Sequence, residues 1–170
     1  SSITRNFSYL KAVINFALSE YALDIRNPFV GVYHDRSAGV LVRKPIPIDA
    51  IRSIQSECRA MDDDMRWLIA LISDTGMRLA EGAGLLKQDL VGLETDLPYV
   101  SVTKYSWRNL KTASSERKIP LVGAALWAAK RISEADSASD FAFPRYNRTS
   151  ITAANSASAA LNKWLKQYVP

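Results

Sequence analysis

The most chemically suggestive stretch of the sequence surrounds Gly76, where an arginine and a glutamate stand three residues apart. We expect Gly76 to end one helix and to let the chain begin another with Arg78 in its first turn. An arginine there opposes the positive end of the helix dipole, which is unfavourable unless an anion or a carboxylate lies nearby. Glu81 is one turn further along the same face and can orient the guanidinium. A simple surface ion pair, worth ~0.2–0.5 kcal/mol, explains the same spacing.

Positive charge is concentrated downstream of this pair. Residues 104–118 hold five basic side chains and one acid, Glu116, in a chain whose formal net charge is +5. Such a concentration indicates a surface that binds a polyanion such as nucleic acid. A solvated basic hairpin accounts for the charges equally well, and composition alone does not separate the two interpretations.

Several classes of function are excluded by composition. The only cysteine is Cys58 and the only histidine is His34, so an internal disulfide, a Cys/His zinc cluster and an HExxH site are all impossible. The longest apolar runs are well short of the ~18–20 residues of a membrane helix. Three consecutive aspartates, Asp62 to Asp64, fan out around a helix and do not converge on one ion. We expect Asp62 to be a helix N-cap, with the other two in the first turn.

The elements that must position these residues are predicted from hydrophobic periodicity. A pattern of apolar residues every three or four positions predicts helices over 3–21, 48–60, 62–74, 79–86, 121–135 and 150–168. Alternation predicts a strand at 99–102, and residues 107–112 and 117–121 read as a hairpin around the loop 113–116. The predicted fold is therefore mainly α with a small three-stranded antiparallel β-sheet.

A hairpin centred on Ser114 and Ser115 places Lys111 opposite Lys118 and Leu110 opposite Ile119. Both lysines then share the open face of the hairpin. Like charges directly opposite each other are destabilising, so an anion between them is a reasonable expectation. Alternatively, both side chains splay into water. The geometry nominates the two lysines equally.

Three stretches, in order along the chain, resemble the tyrosine recombinases, which are also called the phage integrase family. Thr75-Gly76-Met77-Arg78-Leu79-Ala80-Glu81 is similar to that family's first catalytic motif. Leu110-Lys111-Thr112, a small polar loop and then Arg117-Lys118-Ile119-Pro120-Leu121 resemble the β-hairpin that carries the family's catalytic lysine. Upstream, Arg26-Asn27-Pro28-Phe29 resembles the end of the family's core-binding domain. The resemblance spans nearly the whole chain.

The resemblance implies a mechanism and a role for each matched residue. In this family a tyrosine attacks a DNA phosphodiester, forms a 3′-phosphotyrosyl link and expels a 5′-hydroxyl. Arg78 would bind the scissile phosphate, Glu81 would support Arg78, and Lys111 would protonate the leaving oxygen as a general acid. No metal or other cofactor is implied. Further phosphate contacts are expected from Arg43, Lys44, Lys104, Arg108, Arg117, Lys118, Arg145 and Arg148, although ordinary surface charge explains each equally well.

The resemblance also implies a domain organisation and partners. Residues 1–36 would be the last helix of a truncated core-binding domain, 37–47 a linker, and 48–170 a partial catalytic domain. The family's His-x-x-Arg motif would follow the last helix, and its nucleophilic tyrosine would come later still. Tyr146 and Tyr168 precede the position of that motif, so neither matches the nucleophile. We therefore expect a fragment that is inactive by itself. Its parent would be a cytoplasmic integrase of a mobile element, acting as a homo-tetramer on double-stranded DNA.

Two alternatives to this function remain at the level of the sequence. The first is a non-catalytic DNA-binding module that kept the fold without the chemistry. The second is a helical protein-interaction domain, which explains the apolar stripe of residues 3–21 but gives no role to Arg78 and Lys111. The sequence leaves open the target site and the choice between integration, excision and dimer resolution.

Overall fold

A computed structural model describes residues 2–35, 44–110, 112, 115–148 and 151–168 of the chain. The chain divides into two compact units, Ser1–Pro45 and Ile46–Pro170. The division falls within the segment 37–47, where glycine and proline interrupt the helical pattern. The candidate site lies entirely in the second unit.

The first unit is built on one long helix, α1 (Ser2–Glu20). A buried asparagine, Asn27, holds the chain that follows against it. The Asn27 side-chain amide donates to the carbonyl oxygen of Lys11 (3.1 Å), and its oxygen accepts from the backbone N–H of Phe29 (2.9 Å). The rings of Phe29 and Phe7 lie 6.2 Å apart between centroids. The helix itself ends at Glu20, close to the predicted end at residue 21, and Ala22 then takes a left-handed conformation with φ 49°.

Helices are the largest elements of the second unit. Among the described residues they are α2 (Ile48–Met61), α3 (Asp64–Thr75), α4 (Leu79–Ala83), α5 (Gly123–Glu134) and α6 (Ala154–Leu165), with single 3-10 turns at Lys87–Asp89 and Pro144–Tyr146. The central helix is α3, which packs against both α5 and α2. Leu68 and Leu71 of α3 are fully buried and form the middle of the core. Burying such side chains is the main source of stability for a helix of this length.

The turn between α2 and α3 differs by one residue from the sequence prediction. Asp62 ends α2 in the left-handed region, with φ 47°, and Asp63 is the N-cap of α3. The Asp63 carboxylate accepts the backbone N–H of Arg66 at 3.0 Å. The prediction that Asp62 caps α3 is therefore wrong, because one residue is needed to reverse the chain before the cap. The Asp62 carboxylate instead accepts from Trp67 Nε1 (2.7 Å) and from Arg131 (2.8 Å).

A three-stranded antiparallel sheet completes the predicted fold class. Its strands are β1 (Leu90–Val91), β2 (Tyr99–Val102) and β3 (Arg117–Pro120), in the order β1-β2-β3. The fold is mixed α/β, with about half of its residues helical, and the predicted small three-stranded antiparallel sheet is confirmed, as is the strand at 99–102. The third strand was assigned wrongly, because it is Leu90–Val91 and not residues 107–112.

The pairing of β3 also differs from the expected hairpin. Ile119 lies opposite Val100 and Lys118 lies opposite Ser101. The prediction that Ile119 faces Leu110 is therefore wrong. Lys111, the expected partner of Lys118, lies outside the described residues. Val100 is fully buried, so pairing β3 with β2 places Ile119 beside a core strand. Residues 103–116 then become the long connection between the two strands.

A short hairpin of β4 (Asn147–Arg148) and β5 (Ile151–Thr152) precedes α6. The last helix consequently begins at Ala154 and not at residue 150 as expected. The Asn147 amide nitrogen donates to the carbonyl oxygen of Ala83 (2.6 Å), which ties this hairpin to the end of α4. Because Ile151 and Thr152 pair with β4, these residues are extended and the helix starts after them.

Candidate functional site

The turn between α3 and α4 places Arg78 at the surface. Gly76 ends α3 in the left-handed region with φ 62°, a conformation that glycine adopts without steric cost, and its N–H donates to the carbonyl oxygen of Ile72. Met77 then enters the core and is 3% exposed. Arg78 follows as the extended N-cap residue of α4, with its side chain 55% exposed. Alternating burial across this turn therefore directs the arginine outward.

Glu81 is the buried centre of the site. Its side chain is 4% exposed and accepts three hydrogen bonds. One oxygen accepts from the Arg78 guanidinium at 2.8 Å, and the other accepts from the Arg78 backbone N–H and from the Arg117 guanidinium, both at 2.9 Å. Burial raises the pKa of Glu81, but the hydrogen bonds from Arg117 and Arg78 outweigh burial and hold the pKa below its usual range. The carboxylate is therefore charged at neutral pH.

Arg117 reaches Glu81 from the first residue of β3, and its side chain is 35% exposed. Its guanidinium also donates to the carbonyl oxygen of Ser115 at 2.8 Å. The hydroxyls of Ser115 and Thr112 lie 2.9 Å apart. We call Arg78, Glu81 and Arg117 the arginine site. It borders an open polar cavity of about 370 Å³, lined by Gly76, Arg78, Thr112, Ser115 and Arg117.

Arg108, one of the predicted phosphate contacts, is buried in the structure. Its side chain is 1% exposed and its guanidinium donates to the carbonyl oxygens of Thr103 (2.6 Å) and Glu81 (3.0 Å). Asp89 lies 3.5 Å away as its counter-ion. Burial lowers the pKa of Arg108, and the nearby Asp89 carboxylate opposes that effect. Because the guanidinium is enclosed by protein groups, the expectation that Arg108 contacts a phosphate is wrong for this conformation.

The enclosed Arg108 side chain connects the backbone beneath the arginine site to the loop that follows β2. It bonds the backbone of Glu81 on α4 and the backbone of Thr103 at the start of the loop 103–116. A Cβ on Gly84 would lie 2.9 Å from Arg108 Cδ, so only glycine permits this close approach. Arg108 therefore fixes the loop relative to α4.

The other predicted site residues lie in three kinds of place. Lys111 and Arg43 are outside the described residues. Lys118 is exposed on β3, with its ammonium 4.9 Å from the Tyr99 ring centroid. Exposed side chains are also found at Lys44, Lys104, Arg145 and Arg148. Of the latter four, Arg145 has a charged partner, because its Nε lies 3.1 Å from the Asp64 carboxylate.

Two functional contacts were not predicted from the sequence. The first is the bond between Arg117 and Glu81, which are 36 positions apart. The second is a tertiary helix cap, in which the Asp74 carboxylate at the end of α3 accepts the N–H of Ala124 (2.7 Å) at the start of α5. The sequence around Gly76 is rich in charged and small residues, but this pattern does not indicate which distant residues its side chains contact.

Within the described residues, no group of three or more His, Cys, Asp or Glu side chains is arranged to hold a metal ion. The helices in that part of the chain are all too short or too polar to cross a membrane. Comparison of the chain with protein-family models, with curated proteins and with solved structures finds no match.

Proposed function

We propose that the chain is part of a tyrosine-type site-specific DNA recombinase and that Arg78 binds the scissile phosphate. One observation carries this proposal: a buried glutamate holds two partly exposed arginines beside an open polar cavity. An ordinary surface ion pair needs neither the burial of Glu81 nor a second arginine. Arginine binds phosphate through two parallel N–H donors, which suits it to a phosphodiester oxygen pair.

The proposed chemistry is a transesterification. The tyrosine oxygen forms a bond to phosphorus while the bond from phosphorus to the 5′ oxygen breaks. The phosphorus stays bonded to the 3′ oxygen, which gives the 3′-phosphotyrosyl link. Negative charge on the non-bridging oxygens grows in the transition state, and Arg78 stabilises it. The leaving 5′ oxygen needs a proton, and the proposed donor is Lys111. The tyrosine and the His-x-x-Arg motif would belong to residues that follow Pro170 in the parent.

Duplex DNA would be positioned by exposed basic side chains around the arginine site. Lys104 follows β2 in the chain. Lys118 lies one residue beyond Arg117 on β3, so its side chain leaves the opposite face of the sheet from Arg117 and would meet the duplex away from the arginine site. Contacts of this kind set the register of the duplex without reading its sequence. In the parent protein we propose assembly as a homo-tetramer on DNA, with each chain supplying one such surface.

The DNA part of the proposal is tested by equilibrium binding of a fluorescent duplex to the isolated chain. We expect non-specific binding with Kd of ~10⁻⁴–10⁻⁶ M near physiological salt, and tighter binding as salt is lowered. Replacing Lys104, Arg117 and Lys118 together by alanine should weaken binding, whereas replacing Arg52 should not. Arg52 is a suitable control because it forms an exposed Arg–carboxylate pair with Asp49 three residues away. A Kd that does not change with salt, or that does not change in the triple variant, contradicts the proposed DNA surface.

The catalytic part is tested by comparing the isolated chain with the full product of its parent gene. On a supercoiled plasmid that carries the recombination site of the parent's own element, the full product should form a protein–DNA adduct that survives denaturant, and Arg78→Ala should abolish it. The isolated chain should form none. An adduct from the isolated chain overturns the assignment of the nucleophile to later residues. A full product that binds DNA without forming an adduct identifies a non-catalytic DNA-binding module instead.

The assignment of Lys111 is tested in the same full product. Lys111→Ala should abolish cleavage of a normal phosphodiester. Cleavage should be rescued by a 5′-bridging sulfur, because a thiolate leaves without a proton. Lys118→Ala is the matched control on the neighbouring strand, and loss with rescue in that variant would instead make Lys118 the general acid.

A further inference from the structure

Arg117 shares one carboxylate with Arg78, although the sequence places it only among the general phosphate contacts. Arg78 binds one oxygen of Glu81 at 2.8 Å and Arg117 binds the other at 2.9 Å. Because both oxygens belong to a single buried group, the two guanidinium groups are held close together. Both side chains are partly exposed and line the same cavity.

The charges of the arginine site leave one unit uncompensated. Two guanidinium groups carry two positive charges, and the lowered pKa of Glu81 keeps its one negative charge at neutral pH. The site therefore has a net charge of one positive unit, spread over two cations. A phosphodiester carries one negative charge, so a single phosphodiester neutralises the site.

The hydrogen-bond donors of the site are also incompletely used. A guanidinium has five N–H donors. The side-chain hydrogen bonds described above use one nitrogen of Arg78 and two nitrogens of Arg117. Both guanidinium groups have further N–H donors, and both side chains line the same cavity, so a tetrahedral anion bound there would accept from both arginines.

We infer that Arg78 and Arg117 bind the same phosphodiester, so that Arg117 is a second ligand of the scissile phosphate. The inference rests on the proposed function, since it names a further residue at the same site. Glu81 acts as a positioning residue for both arginines. Charge sharing through Glu81 distinguishes Arg117 from Lys104 and Lys118, which would meet other phosphates along the duplex.

The number of phosphates that the site neutralises can be measured from the salt dependence of binding. The slope of log K against log salt falls by ~0.9 for each phosphate contact that is lost from B-DNA. The experiment titrates the isolated chain with a fluorescent random-sequence duplex at several salt concentrations. A triple variant, Arg78→Gln with Glu81→Gln and Arg117→Gln, removes every charge of the site. Arg52→Gln is the control, and circular dichroism establishes that each variant is folded.

We expect the triple variant to lower the magnitude of the slope by ~0.9, the value for one shared phosphate. A fall of ~1.8 means that the two arginines contact two separate phosphates and overturns the inference while leaving the DNA-binding function intact. An unchanged slope in a chain that binds DNA shows that neither arginine contacts a phosphate and overturns the inference together with the proposed role of Arg78.

A double variant gives an independent readout if the triple variant does not fold. Arg117→Gln with Glu81→Gln leaves Arg78 alone and keeps the net charge of the site at one positive unit. With a shared phosphate the slope should equal that of the unmodified chain, although affinity falls because half of the donors are lost. A slope lower by ~0.9 in this variant contradicts sharing.

Discussion

Replacing Glu81 by glutamine should destabilise the second unit far more than the spacing of an i,i+3 ion pair suggests. The carboxylate accepts three hydrogen bonds, two of them from guanidinium groups. A glutamine side chain offers one oxygen acceptor, and its NH₂ group cannot accept from the second arginine. The change is nearly isosteric, so packing should be preserved and the loss should come from charge and hydrogen bonding.

The magnitude follows from the burial of Glu81. Hydrogen bonds to a charged group contribute ~1.5–3 kcal/mol each when enclosed. The two arginine bonds contribute less than this, because Arg78 is 55% and Arg117 is 35% exposed and water can replace part of each lost hydrogen bond. The expected loss of unfolding free energy is ~2–4 kcal/mol, which corresponds to a fall in Tm on the order of 10 °C.

Thermal and urea denaturation followed by circular dichroism measure this loss. Asp49→Asn is the matched control, because Asp49 also pairs with an arginine three residues away but is 95% exposed. The control should leave Tm unchanged within error. If Glu81→Gln is as harmless as Asp49→Asn, the buried carboxylate does not hold the arginines and the reasoning for the site fails.

The same variant has a predictable dependence on pH. The pKa of Glu81 is lower in the folded chain than its reference value of 4.5. A carboxyl whose pKa falls on folding stabilises the folded state above its unfolded pKa, and this stabilisation is lost as pH falls from there through the folded pKa. The stability difference between the unmodified chain and Glu81→Gln should therefore be constant near neutrality and shrink below pH 4.5. A difference that grows on acidification contradicts the lowered pKa.

Three further perturbations test the surroundings of the site. Arg108→Ala should cost ~3–5 kcal/mol in urea denaturation, because it leaves the buried Asp89 without its counter-ion. Asp74→Ala should cost ~1 kcal/mol, because the first N–H groups of α5 lose their acceptor. Cys58 is fully buried and burial raises its pKa to about 12, so its thiol should react with a disulfide reagent only after unfolding.

Each of these expectations has a clear contrary result. A loss under ~1 kcal/mol for Arg108→Ala would mean that water reaches Asp89 and that the enclosure of Arg108 is incomplete. An unchanged free energy of unfolding in Asp74→Ala would mean that Asp74 does not cap α5. Asp49→Ala, which removes a carboxylate from α2, is the control. Rapid modification of Cys58 in the native chain would contradict its burial between α2 and the core.

Most of the helices of the second unit could be predicted from the sequence, because they have apolar positions that the core of that unit buries. The ends of the helices were less accurate wherever a side chain competes for the backbone. Asp62 and Asp63 are both good caps, and the choice between them depends on a left-handed residue that composition does not reveal. The helix α6 starts later than predicted because Ile151 and Thr152 pair with β4, and neither two-residue strand has a periodicity that the sequence reveals.

The sheet shows why pairing is harder to predict than strands. The strand at 99–102 has a period of two, which is a local signal. The partner of β3 is decided by which neighbouring strand is anchored in the core, and Val100 supplies that anchor. The short strand Leu90–Val91 has no periodicity of its own because it is two residues long. Its pairing with β2 follows from the fold and could not be predicted from those residues.

The residues of the site were predicted in part, whereas the carboxylate partners of Arg108 and Arg117 were not. Arg78 is the N-cap of α4 and Glu81 lies three positions later in its first turn, so their pairing could be predicted from spacing. Arg108 and Arg117 are equivalent in a charge count, yet one is enclosed with Asp89 while the other shares Glu81. Burial, which depends on tertiary packing, separates them. A basic segment therefore predicts an anionic partner in general, whereas assigning individual arginines to that partner requires the positions of Asp89 and Glu81.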